Sequence, residues 1–94
     1  MLRRHFSVFV RVNDLERSRV GIIVGKKIAS RAVDRNRIKR MVRELFRQSR
    51  SAFHGADLVV LARRCPQRTG WEAARGELTA LFTQLAAQLR PGDR

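Results

Sequence analysis

The 94-residue sequence predicts a single small α+β domain with its elements in the order β-β-α-β-α. Three observations carry this reading. Residues 6–12, FSVFVRV, alternate Phe6, Val8, Val10 and Val12 against Ser7, Phe9 and Arg11, which is the period of a half-buried strand. Within residues 30–50, Ile38, Met41, Val42, Leu45 and Phe46 recur at i, i+3, i+4, i+7 and i+8, one buried stripe of a helix. Finally, Thr69 with Glu72 three residues on reads as a capping box, and Trp71, Ala74, Leu78, Leu81, Phe82, Leu85 and Leu89 follow it at helical spacing.

Taken in order, the first strand near 6–12 leaves Phe9 on its polar face between Ser7 and Arg11. An aromatic there is either a platform for an unpaired base or the underside of a packed helix, and the pattern alone leaves both open. Asn13 to Ser18 is polar turn material and predicts a hairpin. The second strand, near 19–25, sets Val20, Ile22 and Val24 against Gly21, Ile23 and Gly25, and its alternate glycines point to a close approach by a ligand, a backbone or a packed helix. Lys26 and Lys27 then lead into the first helix, near 31–50, with Ser30 as its expected N-cap and Asp34 favourable in the first turns. After a loop over 53–57, the apolar run Leu58 to Ala62 predicts a central strand near 57–63 buried on both faces. Pro66 interrupts the connection to the second helix, near 70–89, which Pro91 and Gly92 end. That helix has a nearly neutral outer face and reads as core cover.

The charge is concentrated. Of a formal net +13, residues 1–50 hold 15 basic and 4 acidic side chains, net +11, whereas residues 51–94 hold 6 and 4, net +2. Opposite the apolar stripe of the first helix lie Asn36, Arg40, Arg43 and Arg47, flanked by Arg37 and Glu44, with Arg35, Lys39 and Arg50 nearer the boundary. Seven basic groups from Arg35 to Arg50 face one acid, Glu44, too few for internal salt bridges to neutralise the helix, so a polyanionic partner is expected. No run approaches the ~18 apolar residues of a membrane span and no signal peptide precedes the charges, so a cytoplasmic location is expected. The lone Cys65 reads as a small apolar filler.

Catalytic chemistry is not carried by this inventory. His5 and His54 lie apart, at a strand start and in a loop, and Asp14 with Glu16 is the closest acidic pair; neither supplies the acid–base or paired-carboxylate set of a nuclease. GIIVGKK lacks the spacing and terminal Ser or Thr of a P-loop. The chain is expected to bind rather than catalyse.

The run Val24 to Glu44, VGKKIASRAVDRNRIKRMVRE, resembles the signature of the bacterial ribonuclease P protein subunit, an Arg-Asn-Arg core followed by Ile-Lys-Arg, here Arg35, Asn36, Arg37, Ile38, Lys39 and Arg40. The lysine pair before it, RVGIIV and ADLVVLARR fall in the family's order, so the resemblance covers nearly the whole chain. It implies an α/β sandwich like that of a ribosomal-protein domain, one sheet packed against helices, with a left-handed βαβ crossover where handedness statistics favour the right-handed form. It also implies a non-catalytic protein subunit of a ribonucleoprotein endoribonuclease of tRNA processing. There the RNA subunit performs hydrolysis with bound Mg2+, no cofactor is bound by the protein chain itself, and the protein assists 5′-end maturation of precursor tRNA. Lys26, Lys27, Arg35, Asn36, Arg37, Lys39, Arg40, Arg43 and Arg47 are the implied RNA-binding residues, Phe9 the implied leader-cleft residue, and no catalytic or metal-ligating residue is implied.

Family members usually begin with an extra short helix bearing two Phe that wall the leader cleft, whereas this sequence starts almost directly at the first strand. Without that wall an exposed apolar strip is expected, open to a second copy of the chain. A ribosomal-type RNA-binding protein shares the composition, and the Arg35–Arg40 core discriminates against it. A double-stranded DNA reader lacks its turn-and-helix pair here, and an independent protein nuclease lacks its catalytic groups.

Overall fold

The computed structural model describes residues 5–13 and 17–89. Strands β1 (Phe6–Val12), β2 (Arg19–Ile23) and β3 (Ala56–Ala62) form one sheet, and helices α1 (Ala32–Gln48) and α2 (Trp71–Gln88) supply its apolar cover. A 3₁₀ turn, Arg50–Phe53, links α1 to β3.

Strand order is β1-β3-β2, with β1 antiparallel and β2 parallel to β3. The expected β1–β2 hairpin is therefore not formed: β3, from far along the chain, lies between them. Local turn chemistry was outvoted by burial, because β3 is the most apolar strand and the central place hydrogen-bonds both of its edges. Residues 14–16 of the expected turn lie outside the described residues, as do Pro91 and Gly92. The crossover β2-α1-β3 joins adjacent parallel strands.

A second correction concerns β3, which is buried on one face only. Ala56, Leu58, Val60 and Ala62 are buried, whereas Asp57 and Leu61 are half-buried and Val59 is 37% exposed. Both helices pack on the same side, so an unbroken apolar run marks the central strand without guaranteeing a second layer. Val12, expected in the core, is 71% exposed at the end of β1.

The core between sheet and helices is built from Phe6 and Val8 of β1, the inward row of β3, and Ile38, Val42, Leu45 and Phe46 of α1 against Leu78, Leu81, Phe82 and Leu85 of α2. Phe53 closes it, its ring stacked on Phe46 at 6.1 Å and edge-on to Phe82 at 5.7 Å. Glu77 of α2 accepts hydrogen bonds from the His5 and Phe6 backbone N–H groups at 2.8 and 3.1 Å, and its other oxygen meets His5 Nδ1 at 2.9 Å. One carboxylate thus ties the start of β1 to α2.

Both helix starts differ from expectation by one residue. α1 is capped by Arg31 in an extended conformation, without a side-chain cap, so Ser30 stands one position too early. Gly70, not Thr69, caps α2, which moves Glu72 off the N3 position that a capping box requires. Glu72 remains in the first turn, where its charge suits the helix dipole.

Candidate nucleic-acid interface

Because Ile38, Met41, Val42, Leu45 and Phe46 of α1 are committed to the core, helical geometry turns the intervening residues outward. Asn36, Arg37, Arg40, Arg43 and Arg47 are exposed and Lys39 is half-buried, while Lys26 and Lys27 are exposed in the turn before the helix. Asn36, Arg40, Arg43 and Arg47 line one recess of about 340 Å³ with Glu44. Glu44 pairs with Arg47 at 3.3 Å, an exposed contact that neutralises one charge of the row.

Arg35 faces differently from its neighbours. Its Nη1 donates to the Ala29 and Ser30 carbonyl oxygens at 2.8 and 2.9 Å, tying the loop to the helix start. The same lysine-to-helix junction is thereby held in one geometry.

Among the described residues, the sheet's second face carries no helix. Strand register sets Phe9 beside Val59 and Val59 beside Gly21, with Ser7, Leu61 and Ile23 forming the next rung and Arg11, Asp57 and Arg19 the other. Phe9 is 57% and Ile23 53% exposed. The open alternative at Phe9 thus resolves toward an accessible ring. Gly21 resolves similarly: a Cβ there would meet only the Leu58 carbonyl oxygen, at 3.9 Å, so helix packing does not require the glycine. Phe9, Gly21 and Val59 floor a shallow depression of about 460 Å³.

The polar end of this face is a charge network. Arg19 Nε and Nη2 donate to the two Asp57 oxygens at 2.8 and 2.7 Å, Asn13 Nδ2 donates at 2.7 Å, and Arg11 stands at 3.5 Å. The Arg19 fork, followed by Asn13, holds the Asp57 carboxyl well below the usual carboxylate range. Arg19 also lines a recess of about 620 Å³ with Arg17, Arg43, Arg47 and Arg50 over Val20 and Phe46. It therefore stands where the arginine row of α1 meets the open sheet face. Arg50, expected near the edge of the outward face of a helix over 31–50, lies instead in the 3₁₀ turn because α1 ends at Gln48, and nothing in the sequence pattern brings Arg17 and Arg19 at the β2 edge beside α1.

Among the described residues, no group of three or more His, Cys, Asp or Glu is placed to hold a metal ion. Burial pushes the Cys65 thiol up, away from a nucleophilic thiolate. No described helix is long and apolar enough to cross a membrane.

A family model described as Ribonuclease P matches residues 1–86. A ribonuclease P protein component of Chromobacterium violaceum is 49% identical over 86% of this chain and 67% of its own length. One of Thioalkalivibrio sulfidiphilus is 51% identical over 74% of this chain, but the match spans only 57% of that relative. Among solved structures, an RNase P protein from Thermotoga maritima superposes with a TM-score of 0.65 at 33% identity, covering 97% of this chain and 82% of that one.

Proposed function

The chain belongs to the bacterial ribonuclease P protein family, and from that premise we propose that it binds the catalytic RNA of ribonuclease P and the 5′ leader of precursor tRNA in the cytoplasm. The observation that carries this is the continuity of two surfaces of different chemistry. Arg40, Arg43 and Arg47 of α1 pass through Arg19 at the β2 edge to an open sheet face floored by Phe9, Val59 and Gly21. Guanidinium groups suit phosphates of folded RNA, and a flat face with one exposed aromatic suits unpaired nucleotides. In this reading the leader lies across the sheet, its phosphates passing toward Arg19, while α1 grips the catalytic RNA through Lys26, Lys27, Asn36, Arg37, Lys39, Arg40, Arg43 and Arg47. Arg35 acts there chiefly by holding the loop that presents the lysines.

Hydrolysis in this proposal belongs to the RNA, with Mg2+ held by phosphate oxygens of the RNA rather than by the scattered acids of this chain. The protein contributes position and charge neutralisation. The same apolar sheet face also fits a second copy of the chain, which would compete with leader binding.

The test uses a bacterial ribonuclease P RNA. The chain alone is expected to leave precursor tRNA uncut, and with the RNA to raise precursor affinity or lower the Mg2+ requirement. With six to eight phosphate contacts, affinity for the RNA is expected to fall by roughly three orders of magnitude between about 50 and 200 mM salt. Arg40→Ala or Arg43→Ala is expected to cost about 1.5–3 kcal/mol of that affinity, whatever the leader length. A flat salt titration, or robust cleavage by RNA-free protein that survives repurification, would refute the proposal.

A further inference from the structure

We propose that the groove between α1 and the start of α2 is a docking site for one unpaired guanine nucleotide of the bound RNA, stacked on Arg37 and read at its edge by Glu72. This rests on the RNA-binding reading of α1 and adds to it a second, base-specific contact, away from the sheet face.

The groove holds about 480 Å³ and is lined by Arg37, Arg40, Met41, Glu44, Trp71, Glu72 and Arg75. Its central feature is the Arg37 guanidinium, 4.0 Å above the Trp71 ring. This contact brings together two elements distant in sequence, and it holds the guanidinium over the indole. Arginine on an exposed helix face ordinarily keeps its rotamer freedom; here the guanidinium is held over the indole while the residue remains exposed. A flat, fixed cation with its outer face in solvent is the surface on which an unstacked RNA base packs. Lysine in the same place would supply the charge without the plane.

The rim of the groove supplies the rest of a nucleotide's chemistry. Arg40 and Arg75, from the two helices, are exposed cations available to the flanking phosphates. The carboxylates are what distinguish this groove from the arginine row, since an acid near a phosphate path is unfavourable unless it meets a donor. Glu44 is engaged with Arg47. Glu72, exposed, makes no ion pair among the described residues, so its two oxygens are free to accept. Guanine offers N1–H and N2–H₂ side by side on its Watson–Crick edge, matching both oxygens of one carboxylate, whereas cytosine and adenine each offer one amino group. A carboxylate also disfavours uracil, whose edge presents carbonyl oxygens beside its single N–H.

The chain carries its own reporter. Trp71 is the single tryptophan and there is no tyrosine, so intrinsic fluorescence reports this groove alone. The full chain is titrated with a short oligouridylate containing one guanosine, with the same oligomer containing one cytidine, and with inorganic phosphate. Saturable change in Trp71 emission is expected for the guanosine oligomer at several-fold lower concentration than for the cytidine one, with none from phosphate. Arg37→Lys is expected to weaken the guanosine oligomer roughly five- to 150-fold, the range for losing one stacked base. Glu72→Gln is expected to bring the two oligomers together while leaving the cytidine titration unchanged. Both substitutions are on exposed positions, and unchanged melting temperatures confirm that the fold is intact. The proposal is overturned if phosphate alone reproduces the change, if Arg37→Lys leaves the guanosine titration unaltered, or if the wild-type chain binds ribonuclease P RNA yet shows no response to either oligomer. A chain that responds to the guanosine oligomer but binds no ribonuclease P RNA would instead refute the functional reading and keep the groove.

Discussion

Phe9→Ala separates a binding role from a structural one, because the two predict losses of different size in different assays. With the ring 57% exposed, a little under half of a phenylalanine's ~150–200 Å² is covered. At ~25 cal/mol per Å² its removal costs at most about 1.5–2 kcal/mol of stability, an upper limit because the unfolded chain also buries some of that area. Phe53→Ala is the contrast. That ring is fully buried and packed against Phe46 and Phe82, so its loss is expected to cost about 3–5 kcal/mol and to lower affinity for every RNA by depopulating the fold. If Phe9 stacks on a leader nucleotide, Phe9→Ala also loses about 1–3 kcal/mol of binding, roughly a five- to 150-fold weaker dissociation constant. That loss is confined to precursors whose leaders reach the sheet. The measurement is affinity of the chain–RNA complex for precursor tRNAs of graded leader length, with urea unfolding of the same protein. Equal losses at all lengths, mature tRNA included, would refute leader stacking; so would a stability loss as large as that of Phe53→Ala.

Three further outcomes follow from the same geometry. Gly21→Ala adds a Cβ that would meet only the Leu58 carbonyl oxygen, at 3.9 Å, so thermal stability is expected to hold or rise while affinity for long-leader precursors falls; unchanged leader affinity would show that the ligand does not pack closely on β2. Glu77→Ala leaves the His5 and Phe6 N–H groups without their acceptor and is expected to cost about 2–3 kcal/mol in denaturant unfolding, with Glu77→Gln recovering part of it; a loss below about 0.5 kcal/mol would show that the clamp is idle. Asp57 has a folded pKa below its unfolded value, so its contribution is fully present above the ordinary carboxylate value near 4 and is lost as pH falls below it. Urea unfolding from about pH 6 to pH 3 is expected to show a decline that Asp57→Asn makes shallower; parallel pH profiles would place the acid sensitivity elsewhere.

The periodicities of the sequence determined the elements themselves. Alternation in FSVFVRV, the stripe of α1 and the spacing of α2 are local consequences of burying one face, so strand, helix and the inward set Ile38, Met41, Val42, Leu45 and Phe46 were legible without coordinates. So was the outward arginine row, because on a helix the face opposite a buried stripe has no other place to go. What the tertiary structure decided are relations between segments far apart in the chain. Strand order is one: β3 enters between β1 and β2 because the most apolar strand gains most from the centre, a comparison no single window contains. The open second face is another, since an apolar run reads the same whether one layer covers it or two, and only the packing of both helices on one side leaves Phe9 bare. The junction before α1 is held by Arg35 reaching back to the Ala29 and Ser30 carbonyl oxygens, a contact that depends on the loop's path. Arg19 beside the α1 row, and Arg37 on Trp71, have no sequence signature for the same reason: charge and aromaticity are visible in a chain, but which cation meets which ring is set by how two elements cross.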